Sequence, residues 1–170
     1  MIICESERLT LRLLHPTNDA AFVLDLLNQP SFIRNIADRG VRSLADATRY
    51  IETGPLAMYA QHGVALFRTE LKDTREPIGL CGLLKREWLG DVDVGFAFLP
   101  QYWSKGYAFE SAAAVMSWGR EHKNLTRIVA ITAPTNTGSQ RVLEKLGLKY
   151  AKTVRSPEGQ ESRLYTPDSI

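Results

Sequence analysis

The segment from Leu99 to Glu110 joins a strand end to a helix start through a short loop that could bind an anion. The first amides of a helix have no acceptor within that helix and lie at the positive end of its dipole. The loop contains Lys105 and Gly106, and the glycine lets the backbone approach a bulky anion closely. The segment is therefore a candidate phosphate-binding loop. A solubilising lysine and a turn-forming glycine would explain the same residues without a ligand.

This loop matches neither of two common nucleotide-binding patterns. It is not GxxxxGK[ST], which argues against a nucleoside triphosphatase, and it is not GxGxxG, which argues against a Rossmann dinucleotide site.

A second segment, Ala133–Gly147, predicts a capped helix with a hydroxyl on its apolar face. Asn136 is a natural N-cap and Gly147 a natural stop. Ser139 falls in helical register with Val142, Leu143 and Leu146. Ser139 is a candidate functional residue, and a hydroxyl bonded back to the first helical turn is an equally good interpretation.

Three motifs follow one another in a characteristic order: Asp93-Val-Gly-Phe96, then Pro100–Glu110, then Asn136–Gly147. In this order and at these separations they resemble the GNAT superfamily of acetyl-CoA-dependent N-acetyltransferases. The chain is most similar to the Rim-type branch, which includes ribosomal-protein N-terminal acetyltransferases. The opening Glu7–Leu13 also resembles that branch, so the likeness covers almost the whole chain.

The resemblance implies an acetyl-CoA donor, no metal, and a set of binding residues. The loop would hold the pyrophosphate of coenzyme A through backbone N–H groups. The preceding strand would pair with the pantetheine arm, and the second motif would lie beside that arm and its sulfur. The residues so implied are Trp103, Ser104, Lys105, Gly106, Tyr107 and Ala108 in the loop, Phe96, Phe98 and Leu99 in the strand, and Asn136 and Ser139 in the second motif.

Two loop residues depart from the pattern of the superfamily. Trp103 stands where much of the superfamily has Gln or Arg, although it matches the Rim-type branch. Ser104 stands where that branch usually has Gly. Because backbone groups do the binding, we expect Ser104 to be tolerated, provided that its φ is not positive.

The chemistry of acetyl transfer to an amine requires a neutral amine. At pH 7, deprotonation costs about 1 kcal/mol for an α-amine of pKa ~7.7–8.0 but about 4.6 kcal/mol for a lysine of pKa ~10.4. The three motifs contain no histidine, and Asp93 stands where relatives often carry Glu. We hypothesise that Asp93 removes the proton directly or through water, that amides near Phe98 polarise the carbonyl, and that Ser139 protonates the thiolate. The competing interpretation of Asp93 is an exposed polar residue on an alternating strand.

The elements that must position these residues follow from hydrophobic periodicity. Strand patterns cover residues 7–13, 64–71, 77–84, 92–98, 127–132, 148–154 and 162–165, and helices begin near Asn18, Ser43, Tyr107 and Thr137. The Gly54-Pro55 pair predicts a break before a further short helical piece. The three central strands predict an antiparallel meander, and the strand–helix–strand order after it predicts a parallel crossover. The fold class is thus α/β (α+β), with a mixed, mostly antiparallel central sheet flanked by helices.

Composition bounds the class of protein. A chain of 170 residues with 44% hydrophobic and 24% charged residues predicts one globular domain over residues 1–170 and excludes disorder, collagen and coiled coil. The net charge of +2 without runs of like charge indicates no nucleic-acid partner. Cys4 and Cys81 form no zinc-ligand spacing. Charges near the start, and the lack of a long apolar run, predict no signal peptide, no membrane segment and a cytoplasmic location.

The sequence leaves the acceptor open. It could be a protein N-terminus or a small-molecule amine such as an amino acid, a polyamine or a drug, and a non-catalytic module that binds coenzyme A is a further alternative. Residues 33–59 and the C-terminal strands would build the acceptor site, and their mixed charges state no preference. The sequence gives no oligomeric state.

Overall fold

The computed structural model describes residues 1–168 and, within them, eight strands and six α-helices. The elements are β1 (Ile2–Glu5), β2 (Leu9–Arg12), α1 (Ala20–Leu27), α2 (Pro30–Asn35), α3 (Leu44–Ile51), α4 (Ala57–His62), β3 (Leu66–Leu71), β4 (Pro77–Lys85), β5 (Val92–Phe98), α5 (Tyr107–Lys123), β6 (Ile128–Thr132), α6 (Thr137–Lys145), β7 (Lys149–Arg155) and β8 (Glu161–Thr166).

The strands form one mixed sheet in the order β1-β2-β3-β4-β5-β6-β8-β7. Every neighbouring pair is antiparallel except β5 and β6, which are parallel. The predicted meander and the predicted crossover are therefore both confirmed. The parallel pairing is short, since only Val92 with Ile128 and Asp93 with Val129 are in register. Beyond Asp93 the two strands separate, which opens the middle of the sheet.

Helices cover both faces of the sheet because each strand alternates its apolar side chains between them. On one face α5 packs Val115 and Met116 against Phe67 of β3 and Val94 of β5. On the other face α1 and α3 form a second cluster, with Ile51 packing near Leu80 of β4. Two cores thus hold β5 rigidly at the centre of the fold.

The helices of the first third differ in part from the predicted ones. Ser43 caps α3 as predicted, and its hydroxyl accepts a hydrogen bond from the Asp46 amide at 3.1 Å. At Gly54-Pro55 the chain does not break: a π-helical turn over Glu52–Leu56 joins α3 to α4. A wider turn accommodates the proline, which cannot donate to the α-helical ladder. The edge strand β1 and the short helix α2 were not predicted, because neither spans enough residues to show a period.

No helix within residues 1–168 is both long and apolar enough to cross a membrane.

Candidate active site

The loop before α5 presents a row of free backbone amides. After Trp103, the next amide that donates to a backbone carbonyl is that of Glu110, which bonds to the Gly106 carbonyl at 3.0 Å. In the described part of the chain, the amides of residues 104 to 109 donate to no protein acceptor. This set includes the predicted Ser104, Lys105, Gly106, Tyr107 and Ala108. These donors lie at the start of a 17-residue helix, where the dipole adds to their attraction for an anion.

We expected serine to be tolerated at position 104 only if its φ was not positive, and the structure does not meet this condition. Its φ is +61°, in the left-handed region. A side chain in that conformation costs about 1–2 kcal/mol relative to an ordinary one, whereas glycine adopts it freely. Gly106 follows with φ +84°. Two left-handed residues so close together bend the loop back on itself, and the serine makes that bend strained.

Arg8, in the turn between β1 and β2, braces this loop. Its Nη2 donates to the Lys105 carbonyl at 2.9 Å and its Nε to Glu110 Oε1 at 2.7 Å. The guanidinium also lies 4.4 Å from the centroid of the Tyr107 ring. A Cβ at Gly106 would come within 3.3 Å of Nη2, so the close contact depends on the missing side chain. Arg8 was not predicted as part of the site, because its partners lie 97 to 102 positions away in the chain.

Glu110, in the first turn of α5, holds Arg8 in this position. Its Oε2 accepts hydrogen bonds from the Ser6 hydroxyl at 2.6 Å and from the Arg8 amide at 2.8 Å. Partial burial alone would raise the pKa of Glu110, but the hydrogen bonds from Ser6 and Arg8 outweigh it, and the pKa is lowered. Glu110 is therefore ionised at neutral pH, and Arg8 balances its charge beside the loop.

The separation of β5 from β6 leaves a cavity of about 150 Å³. The predicted residues Asp93, Phe96, Asn136 and Ser139 all line it. Phe32 of α2 and Tyr50 of α3 close it on the helical side. The structure thus brings two of the three sequence motifs together around one cleft. The second motif, which contains the loop of free amides, follows at the end of β5.

The backbone of β5 divides the predicted strand residues into two groups. The Leu99 amide donates to the Ile78 carbonyl and the Leu99 carbonyl accepts from Tyr102, both at 3.0 Å. Leu99 is also buried among apolar side chains, so it has no free backbone group for a ligand. Successive residues of a strand point their amides to opposite edges. The amides of Phe96 and Phe98 consequently face the edge from which β6 departs.

Trp103 connects that strand to the loop. Its indole Nε1 donates to the Phe98 carbonyl at 2.9 Å, and its own amide donates to the Pro100 carbonyl at 3.1 Å. The predicted contribution of a free Trp103 amide is therefore not available in the structure. Its side chain instead fixes the turn between β5 and the loop of free amides.

Asp93 is 1% exposed, so the alternative of an exposed strand residue is wrong. Its Oδ1 accepts a hydrogen bond from Arg86 Nε at 3.1 Å. Burial raises the pKa of Asp93 to about 6, and the positive charge and hydrogen bond of Arg86 oppose a larger rise. A carboxyl group with this pKa is mostly ionised at neutral pH and can still hold a proton, as a general base requires.

Asn136 and Ser139 begin α6 at the other wall of the cleft. Asn136 Oδ1 accepts a hydrogen bond from the Ser139 amide at 3.2 Å, which confirms the predicted N-cap. The Ser139 hydroxyl has no hydrogen-bond partner within residues 1–168 and borders the cleft. The cap therefore aims the start of the helix at the cleft and leaves the hydroxyl available there.

The family model described as "Acetyltransferase (GNAT) domain" matches residues 8–149. The chain belongs to the GNAT acetyltransferase family. As a GNAT enzyme it transfers an acetyl group from acetyl-CoA to an amine. The free loop amides suit the diphosphate of this donor, and the parted strands suit its narrow arm.

Curated relatives and solved structures agree with this assignment. The GNAT chain is 29% identical over 156 residues to YkkB of Bacillus subtilis, an uncharacterised protein, covering 88% of this chain and 87% of that protein. It is 27% identical over 164 residues to the N-acetyltransferase YoaA of the same organism, covering 96% and 92%. A GNAT-family acetyltransferase from Bacillus anthracis superimposes with a TM-score of 0.79 at 24% identity, covering 98% and 97% of the two chains. The fold also matches RimL, a ribosomal L7/L12 α-N-protein acetyltransferase in complex with coenzyme A, with a TM-score of 0.83 at 14% identity over 98% and 97%.

Proposed function

We propose that this GNAT enzyme acetylates a primary α-amine, such as the N-terminus of a peptide or protein, with Asp93 as the general base. The observation that carries the proposal is the buried Asp93 carboxyl, with its pKa of about 6, in the cleft that Ser139 also lines. A proton passes from the amine to Asp93 directly or through one water.

The preference for an α-amine follows from the pKa values of the two kinds of amine. The attacking nitrogen must be neutral, and at pH 7 this costs about 1 kcal/mol for an α-amine of pKa ~7.7–8.0 but about 4.6 kcal/mol for a lysine side chain of pKa ~10.4. Asp93 takes the proton that the neutral nitrogen releases as it attacks. The difference of about 3.5 kcal/mol between the two amines is the same whichever base takes that proton, and it favours the α-amine.

The donor would be held by backbone groups at two places. The free amides of Ser104 to Ala108 bind its diphosphate, and the β5 amides at Phe96 and Phe98 lie beside its arm and its carbonyl. Acetyl-CoA supplies the activated acetyl thioester when bound. The amine nitrogen bonds to the acetyl carbon as the carbon–sulfur bond breaks. Ser139 gives its hydroxyl proton to the departing sulfur and regains one from solvent, to which Asp93 releases the proton it took from the amine. Because a thiol has a pKa of only ~8.5, this help is modest, at the low end of the ~10²–10⁴ range for general-acid catalysis.

The experiment that tests the proposal measures binding and turnover separately. Calorimetry with coenzyme A reports the donor site, and thiol release from acetyl-CoA reports transfer. The acceptors are a tetrapeptide with a free α-amine and the same peptide with a blocked N-terminus and one lysine. We expect binding of coenzyme A, and a kcat/KM at least tenfold higher for the α-amine peptide.

Three results would count against parts of this proposal. Binding without transfer to any amine would indicate a module that only holds coenzyme A. Equal or faster transfer to lysine would contradict the α-amine preference. A Ser139→Ala variant that retains full kcat at saturating acetyl-CoA would remove Ser139 from the mechanism, whereas we expect about a hundredfold loss.

A further inference from the structure

Two of the three charged side chains that line the cleft are positive. Within residues 1–168 they are Arg39, Arg86 and Asp93. Asp93 is buried and already bonded to Arg86. Arg39 is exposed and forms no ion pair with any carboxylate within residues 1–168. The charge that an entering acceptor meets is therefore positive.

Both guanidinium groups act on the same part of the cleft. Tyr50 lines it from α3, and although burial raises the pKa of Tyr50, the positive charges of Arg39 and Arg86 oppose that rise. Tyr50 lines the cleft, and its hydroxyl makes no hydrogen bond to another residue in the described part of the chain, so it is free to donate to a ligand. Tyr50 and the two arginines thus form a wall of hydrogen-bond donors on the acceptor side.

A long-range contact lies close to Arg39 in the chain. Gln160, in the turn between β7 and β8, donates from Nε2 to the Ile36 carbonyl at 3.1 Å. This bond joins the far end of the sheet to the end of α2, just before the segment that carries Arg39. Gln160, Ile36 and Arg39 all line the cleft, so this bond joins two segments of the cleft wall next to Arg39.

A positive wall selects among amines. It repels a polyamine whose other nitrogens are protonated, and it favours the neutral form of the reacting amine over the ammonium form. It attracts an acceptor that carries a carboxylate or a phosphate near its amine, because guanidinium groups bind these anions through paired hydrogen bonds.

We propose that the acceptor of this enzyme is an acidic amine, with an anionic group bound by Arg39 and the outer edge of Arg86 while its amine faces Asp93. This inference rests on the proposed function, since it assigns the acceptor class of the same site. A carboxylate could come from an acidic residue near a peptide N-terminus or from a small amino acid.

The test compares acceptors of different charge. The peptide arm uses N-terminal alanyl tetrapeptide amides with Asp, Asn or Lys at the second position. The small-molecule arm uses β-alanine and its carboxamide, together with spermidine, and each kcat/KM is divided by the neutral fraction of that amine at the assay pH, because these amines differ in pKa. Thiol release from acetyl-CoA gives kcat/KM for each acceptor. Calorimetry of the peptides against protein saturated with coenzyme A gives Kd without any turnover.

Charge variants show whether the arginine causes the preference. Arg39→Gln removes the proposed contact, and Arg34→Gln is the matched control, since Arg34 is exposed on α2 and does not line the cleft. We expect wild type to favour the anionic acceptor of at least one arm by about five- to tenfold, as for charges attracted at a partly solvated site. The preference disappears in Arg39→Gln and persists in Arg34→Gln. The arm with the larger preference identifies the source of the carboxylate.

The outcomes for this inference and for the proposed function are distinguishable. Turnover with equal kcat/KM for charged and neutral acceptors, or a preference for lysine or spermidine, overturns the inference and leaves the acetyltransferase intact. A charge preference in Kd without turnover of any acceptor upholds the inference and overturns the proposed reaction. A preference that survives Arg39→Gln overturns the inference as well.

Discussion

Replacing Asp93 by Asn should change the pH profile of the enzyme in a defined way. In wild type, two groups must lose a proton before transfer: Asp93, with its pKa of about 6, and the acceptor α-amine, with a pKa of ~7.7–8.0. Log kcat/KM should therefore rise with slope one between these values and with slope two below pH 6. Asp93→Asn keeps the size of the side chain and an acceptor for Arg86, but it cannot take up a proton.

We expect the variant to lose the lower of these two inflections. Its profile should have slope one throughout the acid range, and its alkaline plateau should be lower by about 10²-fold or more, the usual contribution of a general base. The assay is thiol release from acetyl-CoA with one peptide acceptor between pH 5 and pH 9. A variant profile that retains both the second inflection near pH 6 and the wild-type plateau would refute the assignment of Asp93 as base.

The same substitution predicts a change in stability with pH. Because the pKa of Asp93 is about 6 in the folded protein against an ordinary 3.8, the folded state keeps this proton where the unfolded chain releases it. The contribution of Asp93 to the free energy of unfolding is therefore largest below about pH 4. It decreases as the pH rises towards 6, by about 3 kcal/mol in total at ~1.36 kcal/mol per pH unit. Asp93→Asn should lack this decrease. Urea denaturation of both proteins at pH 4 and pH 7 measures the difference, and equal pH dependence would show that burial does not perturb Asp93.

The remaining predictions concern the loop of free amides before α5, which we propose binds the diphosphate. Ser104→Gly should raise the stability by about 0.5–1 kcal/mol, or roughly 2 °C in Tm, because glycine adopts the left-handed φ without strain; a lower Tm in a thermal scan would contradict this. Ala108→Pro removes one amide hydrogen from a helical turn that tolerates proline, so the Kd for coenzyme A should rise about tenfold or more, whereas Ala108→Val, of similar size, retains the amide and the wild-type Kd. Arg8→Gln should weaken coenzyme A binding about three- to tenfold in calorimetry and lower stability by less than about 1 kcal/mol, since the ion pair is partly exposed; unchanged binding would show that Arg8 does not order the loop.

The local pattern of the chain predicted most of the elements that carry the site. The three central strands, the α5 and α6 helices and the Ser43 and Asn136 caps follow from periods and capping residues within a few positions. Such features depend on neighbours in sequence, so one chain is enough to identify them. The short β1 and α2 and the π-helical turn were missed, since tertiary packing stabilises elements too short to have a period of their own.

The sequence identified which residues could form the site, but their burial, hydrogen bonding and backbone conformation depend on the fold. That Asp93 is buried, that Leu99 and Trp103 use their own amides, and that Ser104 has a left-handed φ all depend on where β4, β5 and the loop lie in space. Arg8 acts on Lys105 across 97 positions of the chain. The sequence by itself determined which groups could bind an anion and move a proton. Only the tertiary structure decided which of them are free, because burial and hydrogen bonding between distant segments set both the pKa of a carboxyl and the availability of an amide.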